Sequence, residues 1–337
     1  MSKLTIKEIA KIAGVSPSAV SIVLNNRKGV SEETRKRVLE IVEKLQYFPN
    51  PHSRRLIFDK TNNIAILFKK NTSPMEHFFY AELNNVILNQ CEALGYNLMF
   101  SSVDFDNENN EVILPNIIKY RDVDGVIFYG DMDLQIINKF KTLEIPFIVV
   151  DSHQISSDIL SVSADYYEAS RMATKYLISI GHVSIAFIGT NLLPFFGNQT
   201  FSGFKKVIEE NRISIPINWI QLDAIDEKSS YSCMKNILSY DTLPTALVCS
   251  ADIYAIGAMR CLKDNGIKIP DDISIIGIDD ILLSQYVDPP LTTIKIDKVQ
   301  MGKIAIDLLV EKIENNDVTN HIINTNDLII RDSTKPR

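Results

Sequence analysis

The sequence predicts a small all-helical N-terminal unit followed by a larger body in which strands and helices alternate. Apolar side chains recur at helical spacing in residues 4–45, whereas from Ile64 onward short apolar runs alternate with longer amphipathic stretches. Alternating strands and helices indicate parallel sheets with helices on both faces. The chain has 337 residues, of which 45% are hydrophobic and 23% are charged. This length suggests about two globular domains.

The N-terminal unit is predicted to contain three short helices. The first covers residues 6–13 and ends at Gly14, a usual helix terminator. Ser16 is a suitable N-cap and Pro17 a suitable first residue for the second helix, and Ser31 caps the third. Two helices joined by a glycine turn are typical of a helix-turn-helix, whose second helix enters the DNA major groove. Any small helical hairpin shows the same spacing.

The distribution of charge favours the DNA-binding alternative. The net charge is −7, but the first 60 residues hold 12 Lys and Arg against 6 Asp and Glu, a net of +6. The rest of the chain holds 23 basic and 36 acidic residues, a net of −13. A basic segment on an acidic body indicates that the first 60 residues meet a polyanion.

A short fourth helix is expected between the N-terminal unit and the body. Asn50 can cap this helix and Pro51 can begin it, and it carries Arg54, Arg55 and Leu56.

The body is predicted to contain two similar series of strands, and therefore two lobes. Amphipathic helices, for example over residues 166–180 and 252–265, fit between the strands. The carboxyl ends of the strands are expected to face a cleft, where open α/β sheets bind ligands. The predicted strands are residues 64–68, 96–100, 125–129 and 146–150 in the first series, and 184–189, 219–222, 245–249 and 273–279 in the second.

Several other classes of protein are disfavoured. No stretch approaches the roughly 18 apolar residues of a membrane helix. The first residues, MSKLTIKEIA, lack the apolar segment of a signal peptide, so a cytoplasmic protein without a membrane partner is expected. The four cysteines show no metal-ligand spacing, and neither a metal nor a cofactor is expected. The absence of GxGxxG, phosphate-loop, GxSxG and HExxH motifs argues against an enzyme.

At the N-terminus, TIKEIAKIAGVSPSAVSIVLN, VSEETRKRVLEIVEKLQYFPN and the segment up to Leu56 resemble the headpiece of the lactose-repressor (LacI/GalR) family. The resemblance continues to the end of the chain in DGVIF, VVD, ISIGHVSIAFIG, IPDDISIIGIDD, PPLTTIKID and IIRDSTK. It implies a helix-turn-helix headpiece, a hinge helix and a two-lobed, periplasmic-binding-protein-like α/β domain.

The domain boundaries follow from the same resemblance. The headpiece is expected at residues 1–49, the hinge helix and linker at 50–60, and the effector-binding and dimerisation domain at 61–337. Within the last, lobe 1 is expected at about 61–161 and 292–323, and lobe 2 at about 162–291 and 324–337.

The resemblance also implies how DNA is bound. Members are dimers that place two headpieces on a palindromic operator, and the hinge helix pushes a leucine, here Leu56, into the minor groove. Many relatives carry a basic or polar residue at Ile22, and isoleucine cannot read guanine, so we expect no guanine requirement there. The implied DNA-contacting residues are Thr5, Ser16, Pro17, Ser18, Ser21, Ile22, Asn25, Ser31, Thr34, Asn50, Ser53, Arg54 and Leu56.

A small-molecule effector is implied in the cleft between the lobes. Asp151 and Asp279 each follow a predicted strand, and a carboxylate there can accept hydrogen bonds from vicinal hydroxyls, which suits a sugar or polyol. Sugar-responsive relatives usually carry an arginine at Thr200, and its loss disfavours a phosphorylated sugar. A one-residue shift of the alignment would put Gln199 there instead. A neutral polyol, an aminated compound and a different class of ligand all stay open. The implied effector residues are Phe79, Asp151, Thr200, Ile225, Ala251, Asp252, Asp279 and Lys298.

The leading hypothesis is a dimeric, DNA-binding transcription regulator, a repressor, that a small molecule controls. One alternative is a solute-binding protein, which the basic headpiece disfavours. The other is a regulator that responds to a phosphoprotein corepressor, since HFFYAEL is similar to the catabolite control proteins. Asp307 replaces the arginine that those proteins carry, and phosphoserine recognition needs basic residues. No terminal heptad repeat is present, so a coiled-coil tetramer is not expected.

Overall fold

The computed structural model describes residues 4–24, 28–45, 47, 60–70, 75, 77–130, 132–151, 159–191, 195–324 and 326–337. These residues belong to two compact units, Met1–Thr61 and Asn62–Arg337. The described part of the first unit contains the helices α1 (Ile6–Ala13), α2 (Pro17–Leu24) and α3 (Glu32–Lys44), as the sequence predicts.

Local hydrogen bonds define where the helices of the first unit begin and end. Thr5 and Glu8 form a capping box, in which the Thr5 N–H donates to Glu8 Oε2 at 2.7 Å and the Glu8 N–H donates to Thr5 Oγ1 at 3.4 Å. Gly14 ends α1 at φ +64°, a left-handed conformation that glycine adopts at little cost. The small core of this unit is formed by Ile9, Ala10, Ala13, Val20, Val23, Val38 and Tyr47.

The second unit alternates helices and strands throughout. Its helices are α4 (Phe78–Ala93), α5 (Asn116–Lys119), α6 (Leu134–Thr142), α7 (Tyr166–Ser179), α8 (Phe195–Glu210), α9 (Glu227–Leu238), α10 (Asp252–Asp264) and α11 (Lys298–Ile313). Its strands are β1 (Asn63–Lys69), β2 (Asn97–Asp106), β3 (Glu111–Ile113), β4 (Gly125–Tyr129), β5 (Phe147–Val150), β6 (Ser161–Ala164), β7 (Ile185–Ile188), β8 (Ile220–Gln221), β9 (Ala246–Cys249), β10 (Ser274–Asp279), β11 (Thr292–Ile296), β12 (His321–Ile323) and β13 (Asn326–Ile329).

The strands form two sheets, one for each lobe. The first sheet has the order β12-β6-β5-β4-β1-β2-β3 and the second has the order β13-β11-β10-β9-β7-β8. Strands pair in parallel except at one edge of each sheet, where β2 pairs with β3 and β11 with β13 in antiparallel fashion. All five residues of β4 are buried, because helices cover both faces of the sheet.

The chain passes between the lobes at three places. Strand β6 lies in the first sheet and β7 in the second, β11 lies in the second and β12 in the first, and β13 returns to the second. The lobe borders expected after residue 161 and before residue 292 are therefore corrected. Ser161–Ala164 pair with β5 and β12, so lobe 1 extends through residue 164, and Thr292–Ile296 pair with β10 and β13, so they belong to lobe 2.

The described part of the chain contains no helix that is both long enough and apolar enough to span a membrane. All four cysteines are described, and each is buried and unpaired.

Candidate DNA interface and effector cleft

Helix α2 of the first unit has one buried and one accessible face. Val20 and Val23 are buried in the core of the unit, whereas Pro17 and Ser18 are exposed and Ser21 is half-buried. Of the residues that the sequence predicts for major-groove contact, Pro17, Ser18 and Ser21 therefore lie on the accessible side of this helix.

Three of the predicted DNA-contacting side chains also begin helices. Ser16 Oγ accepts the Ala19 N–H at 3.1 Å, and Ser31 Oγ accepts the Thr34 N–H at 3.2 Å while donating to Thr34 Oγ1 at 2.9 Å. Thr5 caps α1 in the same way. Helix N-termini carry partial positive charge and suit phosphate contacts.

Ile22 is half-buried beside the turn that follows α2. A Cβ atom at Gly29 would lie 3.7 Å from Ile22 Cδ1, and Gly29 has φ +130°. The remaining predicted DNA-contacting residues lie outside the residues that the structure describes, as does the predicted hinge helix: Asn25, Asn50, Ser53, Arg54 and Leu56.

The second unit contains a carboxylate that is hydrogen-bonded by two tyrosines. Asp151 follows β5 and accepts the Tyr80 hydroxyl at 2.9 Å on Oδ2 and the Tyr166 hydroxyl at 2.6 Å on Oδ1. The Tyr80 ring stacks on Tyr129, with centroids 4.7 Å apart, and the Tyr129 hydroxyl donates to Asn84 Oδ1 at 2.7 Å. Burial and the Asp151 charge raise the pKa of Tyr166 well above its usual value, so it stays a donor.

Asp279 lies at the end of β10 and is almost completely buried. Burial raises the pKa of Asp279 well above its usual value, the negative charges of Asp252 and Asp151 raise it further, and Lys298 opposes the shift. Tyr166 is close enough to interact electrostatically with both Asp151 and Asp279. Asp151, which follows a strand of one lobe, and Asp279, which ends a strand of the other, therefore interact electrostatically.

Lys298, the first residue of α11, approaches the same loop. Its ammonium donates to the carbonyl oxygens of Asp279 at 2.7 Å and Asp280 at 3.1 Å. It lies 5.5 Å from the centre of the Phe79 ring, within the range of a cation–π interaction. Asp280, in turn, pairs with Arg331 at 2.6 Å. The predicted residues Phe79, Asp279 and Lys298 therefore form one cluster.

Asp252 is fully buried and already has three internal donors. Its carboxylate accepts the Ile281 N–H at 3.0 Å, the Ser284 hydroxyl at 2.6 Å and the Thr293 hydroxyl at 2.6 Å. Burial raises its pKa to about 7 even though these hydrogen bonds lower it. These hydrogen bonds show that Asp252 holds the loop after β10 in place.

The other predicted effector residues are placed differently. Thr200 is fully buried, and its hydroxyl donates to the carbonyls of Phe196 at 3.0 Å and Gly197 at 3.2 Å in its own helix. Ala251 is 6% exposed and precedes α10, whereas Ile225 is 74% exposed and its N–H donates to Ser229 Oγ at 2.9 Å. Sequence reasoning missed Tyr80, Tyr166 and Glu82 as site residues, although Tyr80 and Glu82 lie in the HFFYAEL segment.

Comparisons with known proteins agree with both units. The model for bacterial regulatory proteins of the lacI family matches residues 5–50, and that for a periplasmic binding protein-like domain matches residues 174–334. The HTH-type transcriptional repressor PurR of Haemophilus influenzae (strain PittEE) is 33% identical over 340 residues, which cover 98% of this chain and 98% of the relative.

Solved structures share the fold. The lac repressor dimer bound to operator and the anti-inducer ONPF matches with a TM-score of 0.85 at 24% identity, over 99% of this chain and 100% of that one. A LacI family transcriptional regulator from Enterococcus faecium with bound ribose matches with a TM-score of 0.70 at 25% identity, over 82% of this chain and 99% of that one.

These matches confirm three predictions. The helix-turn-helix unit with a two-lobed α/β body is the fold of solved lacI-family structures, the family is the one the sequence resembles, and the relatives are regulators rather than enzymes. A solute-binding protein would not account for the match at residues 5–50. The chain therefore belongs to the lacI family of bacterial regulatory proteins, as a DNA-binding transcriptional repressor.

Proposed function

We propose that the chain is a homodimeric repressor that binds a palindromic operator under the control of an uncharged sugar or polyol in the inter-lobe cleft. The observation that carries the effector proposal is the placement of Asp151 and Asp279. Asp151 follows a strand of lobe 1 and hydrogen-bonds to the Tyr166 hydroxyl, and Asp279 ends a strand of lobe 2 and interacts electrostatically with the same tyrosine. A ligand that hydrogen-bonds to both carboxyl groups binds better when the lobes are close, so it changes the balance between lobe arrangements.

The charges around the cleft argue against an anionic effector. The ammonium of Lys298 is already engaged by two carbonyl oxygens and by Glu82, whereas Asp151 and Asp279 present carboxyl groups. Ligand hydroxyls can donate to these oxygens without adding negative charge. The Enterococcus faecium regulator, which contains bound ribose, is a relative with a ligand of this class.

A ligand screen by thermal unfolding of the full chain tests the effector proposal. The panel contains neutral sugars, polyols, amino sugars, sugar phosphates and nucleobases. A ligand at 100 times its dissociation constant stabilises the folded state by about 2.7 kcal/mol, which raises the melting temperature. We expect a neutral sugar or polyol to do so, and Asp279→Asn to abolish the shift. Stabilisation by sugar phosphates or nucleobases alone would contradict the proposal.

For DNA binding, we propose that α2 enters the major groove and that the N-termini of α1 and α3 contact phosphates. The basic excess of the first 60 residues and the accessible face of α2 support this arrangement. Leu56 of the hinge segment is proposed to wedge into the minor groove, with Arg54 near phosphates.

Selection of binding sites from random DNA tests this arrangement. We expect a two-fold symmetric site with no guanine requirement at the base pair that Ile22 contacts. Ile22→Arg should introduce a guanine preference there, because arginine can donate to O6 and N7 of guanine. An asymmetric site, or a guanine requirement in the parent that Ile22 substitutions alter, would contradict the proposal.

The homodimer is supported by apolar side chains exposed near one another on the body. Glu82 accepts the N–H of Leu282, so the start of α4 lies beside Leu282. Phe78 is 43% exposed, Leu282 is 59% exposed and Tyr286 is 76% exposed. Sedimentation should show a dimer for the parent chain and a monomer for Leu282→Lys combined with Tyr286→Lys. Since the operator is chromosomal DNA, we propose that the protein works in the cytoplasm.

A further inference from the structure

Glu82 on α4 contacts the second lobe directly. Its Oε1 atom accepts the N–H of Leu282 at 2.7 Å, although the two residues are 200 positions apart in the chain. Leu282 begins a single 3-10 turn, Leu282–Gln285, which follows β10 of the second lobe. A carboxylate at the start of such a turn satisfies an amide that the turn itself leaves unpaired. One side chain of lobe 1 thus caps an element of lobe 2.

The second carboxylate oxygen of Glu82 forms an ion pair with Lys298, which binds the loop that contains Leu282. Glu82 Oε2 lies 3.4 Å from Lys298 Nζ, and this ammonium donates to the carbonyls of Asp279 and Asp280. Lys298 begins α11, which packs closely on α4, since a Cβ at Gly302 would lie 2.8 Å from Val86 Cγ1. Two helices packed together in lobe 1 therefore hold residues 279–282 of lobe 2.

Electrostatics make Glu82 important for the lysine. Lys298 has 7% of its side chain exposed, and it lies at a helix N-terminus, where the helix dipole disfavours a cation. The Glu82 side chain is 35% exposed and supplies the carboxylate within ion-pair distance. Removing this carboxylate leaves a buried ammonium with weaker compensation.

The loop that Glu82 and Lys298 hold is firmly attached to the second lobe. Asp252 accepts hydrogen bonds from Ile281, Ser284 and Thr293, so the loop is fixed from its other side. Separation of the lobes at this position must therefore break the contacts of Glu82 rather than bend the loop.

We propose that Glu82 is a positioning residue that ties the two lobes together beside the effector cleft, so that its loss shifts the body toward separated lobes. This inference uses the proposed effector cleft only as a location. Its test contains neither effector nor operator. Failure of the effector proposal and failure of the Glu82 proposal are therefore distinguishable.

The test measures the distance between spin labels on the two lobes of the full-length chain. Labels are attached at Leu134→Cys and Glu227→Cys, which begin α6 and α9 and are exposed at the carboxyl-end side of each sheet. The four native cysteines are buried, so the introduced cysteines are labelled selectively. Labelled chains are diluted with unlabelled chains, so that distances within one chain dominate.

In Glu82→Ala we expect the ratio of close to separated lobes to fall about tenfold, because a hydrogen bond to a charged group is lost. Glu82→Gln keeps an acceptor for Leu282 but loses the charge, and a smaller shift in the same direction is expected. Glu92→Gln is the matched control, because it neutralises an exposed carboxylate on the same helix.

A distance distribution unchanged in both Glu82 variants would overturn the proposal, and so would an equal shift in Glu92→Gln. A shift in Glu82→Ala without one in Glu82→Gln supports the proposal. It would mean that the hydrogen bond to Leu282, rather than the charge of Glu82, holds the lobes together. If Glu82→Ala does not fold, Glu82→Gln decides alone and must show the shift. General destabilisation would lower the melting temperature without moving the distance distribution of the folded chains.

Discussion

The helical unit and the two-lobed body are stabilised over very different distances along the chain. In the helical unit the side-chain hydrogen bonds that cap the helices join residues three positions apart, such as Thr5 with Glu8. In the body, decisive bonds join residues far apart, such as Thr293 with Asp252, 41 positions away, and Leu282 with Glu82. Local bonds form with little loss of chain entropy, whereas distant ones depend on the whole fold. The two units should therefore respond differently to the loss of one side chain.

The largest effect is expected in the small core of the helical unit. Ile9 is fully buried, and Ile9→Ala should destabilise this unit by about 4 kcal/mol, because it removes apolar contacts and leaves a cavity. Hydrogen exchange followed by mass spectrometry should show faster exchange in residues 6–44 and unchanged exchange in the body. Ile12→Ala, on the same helix but 56% exposed, is the control and should change stability by less than about 0.5 kcal/mol. Equal effects of the two substitutions would contradict the assigned core.

The next largest effect is expected in the body, from the loss of the Asp252 carboxylate. Asp252→Ala removes the acceptor of three buried donors and should lower the free energy of unfolding of the body by about 3 kcal/mol. Urea denaturation measures this change. Asp223→Ala, which removes an exposed carboxylate, serves as the control and should be nearly neutral. A loss below about 1 kcal/mol would mean that the loop after β10 is held by other contacts.

The carboxyl group of Asp252 should also make the stability of the body depend on pH. The folded-state pKa of Asp252 is about 7, against 3.8 as the ordinary value, so the folded state binds more protons between these values. The contribution of this group is therefore fully present below pH 3.8 and is lost as pH rises through about 7. Relative to Asp252→Asn, the parent should lose stability over this window in urea denaturation. A difference that is flat or rises with pH would contradict the prediction.

The smallest effect is expected from a local cap. Thr5→Ala removes one hydroxyl acceptor at the start of α1 and should destabilise the helical unit by about 1 kcal/mol, as N-cap removal usually does. Circular dichroism during thermal unfolding measures this change. Thr5→Ser keeps the acceptor and should remain close to the parent. A larger loss than that of Asp252→Ala would reverse the expected ranking of local and distant bonds.

The elements with strong local patterns could be predicted from the sequence. The apolar run at residues 125–129 coincides with β4, and the helix predicted at 166–180 is observed as Tyr166–Ser179. The strand β6 was not predicted, because SVSA has no apolar run and is buried only by its neighbours. Near the predicted strand at 219–222, Ile217–Trp219 form a 3-10 turn and only Ile220–Gln221 are extended.

The candidate site could be predicted only in part, for the same reason. Asp151 and Asp279 were identified because each follows an apolar strand, and the topology of parallel sheets places such residues at a cleft. Tyr80 and Glu82 lie on a helix at positions that any surface residue could occupy, and their partners are distant in sequence. Their contacts follow from the way α4 packs on its surroundings, which no local pattern encodes.

The three passages of the chain between the lobes also determine the order in which the protein can be completed during synthesis. The helical unit is built from the first 61 residues and can fold as soon as they leave the ribosome. The first lobe waits for His321–Ile323, which form one edge of its sheet, and the second waits for Asn326–Ile329. Neither lobe is encoded by a continuous stretch of gene, so neither sheet is complete until its last strand, β12 or β13, has been synthesised. A nascent chain thus contains the whole helix-turn-helix unit well before it contains all strands of the body.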